Sequence, residues 1–355
     1  MARLSKRRVP TRRDAPYPRD AKEMTRPTRY FGECIAMVAI WLGLFLLFGL
    51  FSENFLTWRT FNTLANRIPT LTVVSAGMTL VLIIGGIDLS VGSVLGLGGA
   101  ILGVAVVDWH WPLWSAILAC VGIGLVAGTL NGTLSVGLGI PSFIVTLGML
   151  EICRGLAYLT TRSQTKYIGA AVEGVSRPVQ SLGGSPAFLI SVLVIIIGQL
   201  VLSRTLFGRH LIAIGTNEQA VRLAGINPRP AKIAVFGLVG LLSGLGAVFY
   251  TSRLGSSDPN AGAGLELSAI AAVVIGGTSL MGGRGSVVRS FLGVLIIATL
   301  EAGLAQVGAS EPIKRIVTGA VIVLAVVLDA WRQHIAGAKF PLLTRLFGSG
   351  FPRKL

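Results

Sequence analysis

Residues Trp109–Leu150 read WHWPLWSAILACVGIGLVAGTLNGTLSVGLGIPSFIVTLGML, 42 consecutive positions without Asp, Glu, Lys or Arg. A helix that crosses a bilayer needs about 20 mostly apolar residues. The run is too long for one crossing and fits two, over 113–136 and 141–160. Working outward, breaks at Pro, Gly and charged residues predict further spans at 31–51, 64–84, 90–107, 186–203, 232–253, 266–280, 286–307 and 312–331. The expected fold class is therefore all-α: a polytopic membrane protein of about ten transmembrane helices. Composition agrees, with 52% hydrophobic and only 13% charged residues, against about 25% charged in a soluble domain.

The net charge of +16 is unevenly spread. Of 31 basic residues, ten fall in 1–30, five in 204–232 and five in 332–355. Lys and Arg resist translocation and are attracted to anionic lipid, so these segments are expected on the cytoplasmic side. Six spans precede the basic loop and four follow it, and both even numbers return the chain to the same side. The chain then divides into a basic cytoplasmic tail (1–30), a transmembrane domain (31–331) with a cytoplasmic loop at 204–231, and a second basic tail (332–355). Lipid explains the charge, and no nucleic-acid partner is expected. The first span is longer than a signal-peptide core and lacks a small-residue cleavage pattern, so it is expected to be retained. Cys34, Cys120 and Cys153 lie in apolar segments without metal spacing and read as small buried hydrophobes; no metal site is expected.

The 161–185 segment and SSDPNAGAGLE (Ser256–Glu266) are then expected on the far side. The short spans 90–107 and 266–280 suggest broken helices, which membranes tolerate where the unwound backbone is buried in protein. IGGIDLSVG (84–92) echoes IGGTSLMGG (275–283), with Ser279 in the place of Asp88; duplication and chance both remain open. Gly124, Gly128 and Gly132 recur every four residues, the spacing that lets helix backbones approach closely. Asn131 beside them either faces a polar pathway or bonds a neighbouring helix.

Two stretches carry the functional reading. In GGIDLSVGS (Gly85–Ser93), Gly85 and Gly86 break one helix, and Asp88 is placed to N-cap the next, where its charge suits the helix dipole. A gate or partner contact is the second reading for Asp88, and direct binding of a solute or ion the third. In FGRHLIAIGTNEQAVRLAGINPRP (Phe207–Pro230), Thr216 and Gln219 form a capping box, Gly225 fits a left-handed C-cap, and Pro228 and Pro230 forbid continuation. The helix implied, 217–224, is too short to be stable alone. Ala220, Leu223 and Ala224 form its apolar face, with Asn217, Glu218 and Arg222 polar. Either it lies on the protein's own surface, or it docks into a partner's groove.

GGIDLSVGS, GRHLIAIGTNEQAVRLAGI and SDPNAGAGLELSAIAAVVIGGTSLMGGRGS, in that order, resemble permeases of bacterial ABC importers for monosaccharides of the ribose, xylose and galactose class, a group that includes importers of polyols and of autoinducer-2. The resemblance covers about 31–331. It implies that Thr216–Gly225 is the coupling helix that docks on a separate ATP-binding subunit. It also implies a periplasmic sugar-binding protein, a second permease copy (identical or paralogous) and residence in the bacterial inner membrane. No Lys follows a Gly, so the chain has no GxxxxGK[ST] phosphate loop; ATP and Mg are expected in the partner, with no cofactor in this chain. The alternative, an ion-coupled secondary transporter of a small polar solute, would use carboxylates within spans. Here Asp88, Glu151 and Glu301 are sparse and do not pair obviously. No HExxH or GxSxG motif supports an enzyme. A neutral sugar needs hydroxyl and amide partners, so Ser75, Thr79, Ser90, Ser93, Asn131, Thr146 and Ser279 are the substrate-path candidates.

Overall fold

The computed structural model describes residues 27–177 and 184–337. The expected tails at 1–30 and 332–355 lie outside these, apart from 27–30 and 332–337, which are helical. In chain order the elements are α1 (Pro27–Phe51), α2 (Trp58–Ile83), α3 (Val91–Val107), α4 (Leu113–Leu138), α5 (Ser142–Thr161), β1 (Lys166–Tyr167), α6 (Ala170–Glu173), α7 (Pro186–Arg204), α8 (Leu206–Leu223), α9 (Arg229–Leu254), β2 (Ser256–Ser257), α10 (Leu265–Ile275), α11 (Val287–Gln306) and α12 (Glu311–Gly337). Each expected span contains a helix, and α6 and α8 are additional. Among the described residues, seven helices are long and apolar enough to cross a membrane; α3 and α10 are shorter apolar helices.

Several boundaries differ from the sequence expectation, including the start of α1 at Pro27 rather than 31 and the end of α12 at Gly337 rather than 331; two have a clear local cause. Helix α2 begins at Trp58 rather than 64, because the Thr57 side chain accepts from the Thr60 amide and starts the helix earlier. Helix α10 ends at Ile275 rather than 280. There the Gly277 and Thr278 amides turn back onto the carbonyls of Val274 and Val273, the paired bonds that close a helix C-terminus.

Helix α2 is the axis of the bundle. From Ile68 to Ile83 it is buried throughout, as expected for a helix apolar on every face. Helices α7, α9, α10 and α11 pack around it. The outer helices α1, α4, α5 and α7 turn large side chains outward, among them Leu50, Leu118, Leu159 and Ile196. That surface suits lipid.

Helices α4 and α9 meet backbone to backbone. A Cβ on Gly128 would overlap the carbonyl of Phe236, and one on Gly124 would overlap the carbonyl of Gly240. Cys120 Sγ reaches the carbonyl of Gly244 at 3.3 Å on the same seam. The small-residue spacing at 124, 128 and 132 is thus a packing seam.

SSDPNAGAGLE does not stay at the end of the bundle. Strand β2 pairs with β1 where α3 ends, and Lys166 bonds Asp108 there. The chain then follows α3 back toward that helix's start. Gly103 faces Ser257, Gly96 faces the carbonyls of Pro259 and Ala261, and Gly92 faces the carbonyl of Gly262. At 1.5 Å per residue the segment descends about 16 Å along α3. Arg154 of α5 holds it by donating to the carbonyls of Pro259 (2.7 Å) and Ala261 (2.9 Å). Tyr158 bonds Asn260, and Thr165 donates to Asp258 at 3.0 Å. Helix α10 is short because it starts part-way along its neighbour.

Replacing Gly128 with Val is expected to destabilise the bundle by about 1–3 kcal/mol, the usual cost of overpacking. The same change at Gly122, where nothing lies within 4 Å, should be near neutral. Thermal unfolding in detergent checks the pair.

Candidate functional site

At one end of the bundle three interruptions of helical backbone come together: the turn after α2, the middle of α8 and the turn after α10. Helix α2 stops when the Gly85 and Gly86 amides bond the carbonyls of Leu82 and Val81, each at 2.9 Å. The chain then runs extended, and its amides are taken up by α5: Ile87 N–H donates to Ser142 Oγ (3.0 Å) and Leu89 N–H to Thr146 Oγ1 (3.1 Å). Gly85 and Gly86 therefore break the helix as their types predict.

Asp88 departs from the expectation. The N-cap position of α3 is held by Ser90, whose side chain makes no capping bond. Asp88, two residues earlier, closes a local turn: its Oδ1 accepts from Ser90 N–H (2.8 Å) and from Ser90 Oγ–H (2.6 Å). Asn131 Nδ2 of α4 donates to Ser90 Oγ at 2.9 Å, and Ser93 Oγ donates to the Ser90 carbonyl at 2.9 Å. With only 1% of Asp88 exposed, the carboxylate orders the entry to α3 from within the protein. Asn131 Oδ1 is buried without a partner in the structure.

The substrate-path candidates thus separate into groups. Ser90, Ser93, Asn131 and Thr146 surround the Asp88 segment. Ser75 and Thr79 lie on α2, where Thr79 donates to the Ser75 carbonyl (2.7 Å) and bonds Ser290 of α11 (2.8 Å). Ser279 shapes its own turn, accepting from Met281 N–H at 3.2 Å. All seven are buried.

Helix α8 has two halves, with non-helical backbone at Asn217 (φ −160°, ψ 95°). Asn217, not Thr216, caps the second half: its Oδ1 accepts from Ala220 N–H at 3.0 Å. Thr216 belongs to the first half and donates back to the Ile212 carbonyl at 2.7 Å, which leaves no role for the Thr216–Gln219 box. The far end closes as expected. Gly225, at φ +81°, and Ile226 direct their amides to the carbonyls of Arg222 and Val221. Val221 is the inward anchor of this half, 7% exposed, whereas Leu223 is 90% exposed. Ala220 and Ala224 are exposed beside it. Glu218 ties the segment to α9, bonding Arg222 at 2.6 Å and Lys232 at 3.0 Å. Partial burial pushes the Glu218 carboxyl up, but the hydrogen bonds and charges of Arg222 and Lys232 outweigh it and hold it below its usual range.

The three interruptions touch through glycine. Gly283 N–H donates to the Ile83 carbonyl at 2.8 Å. A Cβ on Gly282 would lie 2.9 Å from the Gly215 carbonyl and 3.0 Å from Gly85 N, and one on Gly283 would meet Thr216 Oγ1 at 2.6 Å. At the opposite end, an open cavity of about 330 Å³ is lined by Asn66, Glu173, Ser176, Arg177, Ser252 and Arg253, among others. Sequence reasoning singled out none of these, nor Asn217 as the cap, Lys232 or Arg154.

A sheath of outward-facing apolar helices around a buried axis is the architecture of a polytopic membrane protein. The family model described as branched-chain amino acid transport system / permease component matches residues 60–326, and the chain belongs to that family. It is 37% identical to the ribose import permease of Escherichia coli (strain K12) over 289 residues, 79% of this chain and 89% of the relative. To the ribose import permease of Bacillus subtilis (strain 168) it is 38% identical over 309 residues, 84% and 94% of the two chains. To the fructose import permease of Rhizobium meliloti it is 30% identical over 311 residues, 85% and 86%. No solved structure matches it. The chain is a multi-pass permease component of an ABC importer and not an enzyme, and the ion-coupled alternative falls.

Asp88→Ala would leave the buried Ser90 amide without its acceptor and is expected to lower stability by about 1–3 kcal/mol, while Asp88→Asn keeps an acceptor oxygen and should cost less; detergent thermal melts compare them. A depressed carboxyl stabilises the fold above its ordinary value, about 4.5 for Glu218, and that contribution is lost as pH falls through the lower folded value. Amide-exchange protection of 218–223 should therefore hold from neutral pH down to about 4.5 and fall below it.

Proposed function

We propose that the chain forms, with a second copy of itself or a close paralogue, the translocation path of an importer for a monosaccharide or related polyol in the bacterial inner membrane. The observation that carries this is the similarity, over most of the chain, to permeases named for ribose and fructose import. An ATP-binding subunit binds ATP and Mg, and a periplasmic binding protein delivers the sugar. The tails, 204–231 and the α8 end of the bundle face the cytoplasm, and the β1–β2 end faces outward. This orientation draws support from the basic residues clustered at 204–232.

The second half of α8 is the coupling element. It is capped at both ends, anchored inward by Val221, braced to α9 through Glu218 and Lys232, and bare on its Ala220, Leu223 and Ala224 face. Asn217, Gln219 and Arg222 flank that face, and Thr216 and Gly225 bound the segment. Closure of the ATPase pair displaces this half-helix, and the displacement reaches the Gly85, Gly86 and Asp88 turn. In this scheme Asp88 fixes a moving joint rather than touching sugar. Ser90, Ser93, Asn131 and Thr146 line the path only where that joint opens; Ser75, Thr79 and Ser279 lie behind it.

Proteoliposomes holding the permease, its ATP-binding subunit and its binding protein should accumulate labelled ribose or fructose only with ATP. Accumulation driven by an ion gradient without ATP would sink the reading. Leu223→Glu should cut capture of the ATP-binding subunit by about tenfold or more, the loss typical of a hot-spot residue, while membrane insertion is unchanged.

A further inference from the structure

The half-helix is not the only bare apolar feature at this end. Met281 stands at the tip of the turn that joins α10 to α11, and it is 79% exposed. Single exposed hydrophobic side chains are ordinary. This one differs because its turn packs on the root of the half-helix that carries Leu223, although the two are far apart in sequence. The Gly282–Gly283 backbone lies directly against Gly215 and Thr216, at the root of the capped half-helix. The two apolar points are therefore carried on adjoining backbone.

The turn is also stiff. Ser279 N–H donates to the Arg284 carbonyl at 3.0 Å, Gly282 N–H to the Ser279 carbonyl at 3.2 Å, and Met281 N–H to Ser279 Oγ at 3.2 Å. A side chain presented on a pre-ordered turn loses less entropy on binding than one on a loose loop. Met fills irregular apolar hollows readily. The two elements carry exposed basic side chains, Arg284 on the turn and Arg222 on the half-helix. Within 204–232 and 276–286 the one carboxylate is Glu218, and it already serves Arg222 and Lys232. The complementary partner face is acidic with an apolar hollow.

We propose that the ATP-binding subunit docks on two elements, the second half of α8 and the Ser279–Arg284 turn, with Met281 seated in the partner beside Leu223. The proposal takes the α8 docking as its premise. It gives the partner a direct hold on α10 and α11 as well as on α8. Through Gly283 N–H and the Ile83 carbonyl, the same contact bears on the end of α2.

The test measures the affinity of the detergent-purified permease for its cognate ATP-binding subunit. Met281→Glu should weaken binding about tenfold, as loss of a hot spot does, with the thermal midpoint unchanged. Met281→Leu, which keeps an apolar tip, should restore affinity. Binding of Met281→Glu within about twofold of wild type, well under the tenfold of a hot spot, would overturn the proposal. Unchanged ATPase binding together with loss of retained anionic phospholipid in the Met281→Glu protein would also overturn it, by making the turn a lipid contact. If the wild-type permease binds no ATP-binding subunit at all, the ABC docking itself fails, an outcome distinct from a failure at Met281 alone.

Discussion

Backbone that leaves helical geometry away from water must find its hydrogen-bond partners inside the protein. Three segments of this chain do so: 84–90, 258–264 and 276–286. The first borrows hydroxyls from Ser142 and Thr146 and a carboxylate from Asp88. The second is held through its carbonyls by Arg154 and through Asp258 and Asn260 by Thr165 and Tyr158. The third leans on the Ile83 carbonyl and on its own Ser279. Each segment survives only because a neighbouring helix supplies what water would have supplied, and so each ties two or more helices together.

That constraint explains where the charges within the bundle went. Arg154 and Asp88 are costly in a lipid-facing position, yet neither makes an ion pair among the described residues. Both satisfy irregular backbone instead, Arg154 as donor and Asp88 as acceptor. Ion pairs lie elsewhere: Lys166 with Asp108 and Arg67 with Glu301 brace the end of the bundle away from Gly85, and Glu218 braces α8. A carboxylate and a guanidinium set in an apolar sequence are parts of the fold's hydrogen-bond supply.

Most of the helices were legible because apolar length and glycine stops are local signals. What failed was local too, but ambiguous. Thr216 and Asn217 are adjacent and both able to cap. The choice fell to Asn217 because Thr216 is drawn into the preceding helix by Ile212. Val221 and Leu223 are both apolar on a helix too short to define a face, and only packing selects Val221 for the interior. The descent of 256–262 was unreadable in its own polar residues. Its signal lay in the partner, since Gly92, Gly96, Gly99 and Gly103 recur along one face of α3. The echo of 84–92 in 275–283 has a partial counterpart in backbone geometry. Both stretches end a helix with the same paired amide turn, but the left-handed glycine of that turn is Gly85 in one and Gly277 in the other, one residue out of the sequence alignment, and only the second stretch adds left-handed Gly282 and Gly283.

The same close contacts decide how force can travel. Where two helices meet through layers of side chains, a push on one can be absorbed by rotamer changes in between. Helices α4 and α9 have no such layer at Gly124 and Gly128, and neither has α3 where the descending segment lies on it. Well-packed contacts of this kind hold or reseat as units rather than yielding gradually. The glycine junction at 85, 215 and 282–283 has the same character. From Gly215 and Thr216 of α8 to the end of α2 the contacts run through the backbone of Gly282 and Gly283, with no bulky side-chain layer between. The backbone interruptions at 84–90 and 276–286 are the places where rigid bodies can turn against each other. Stiff seams joined by such interruptions are what let a helical bundle rearrange as rigid parts rather than deform throughout.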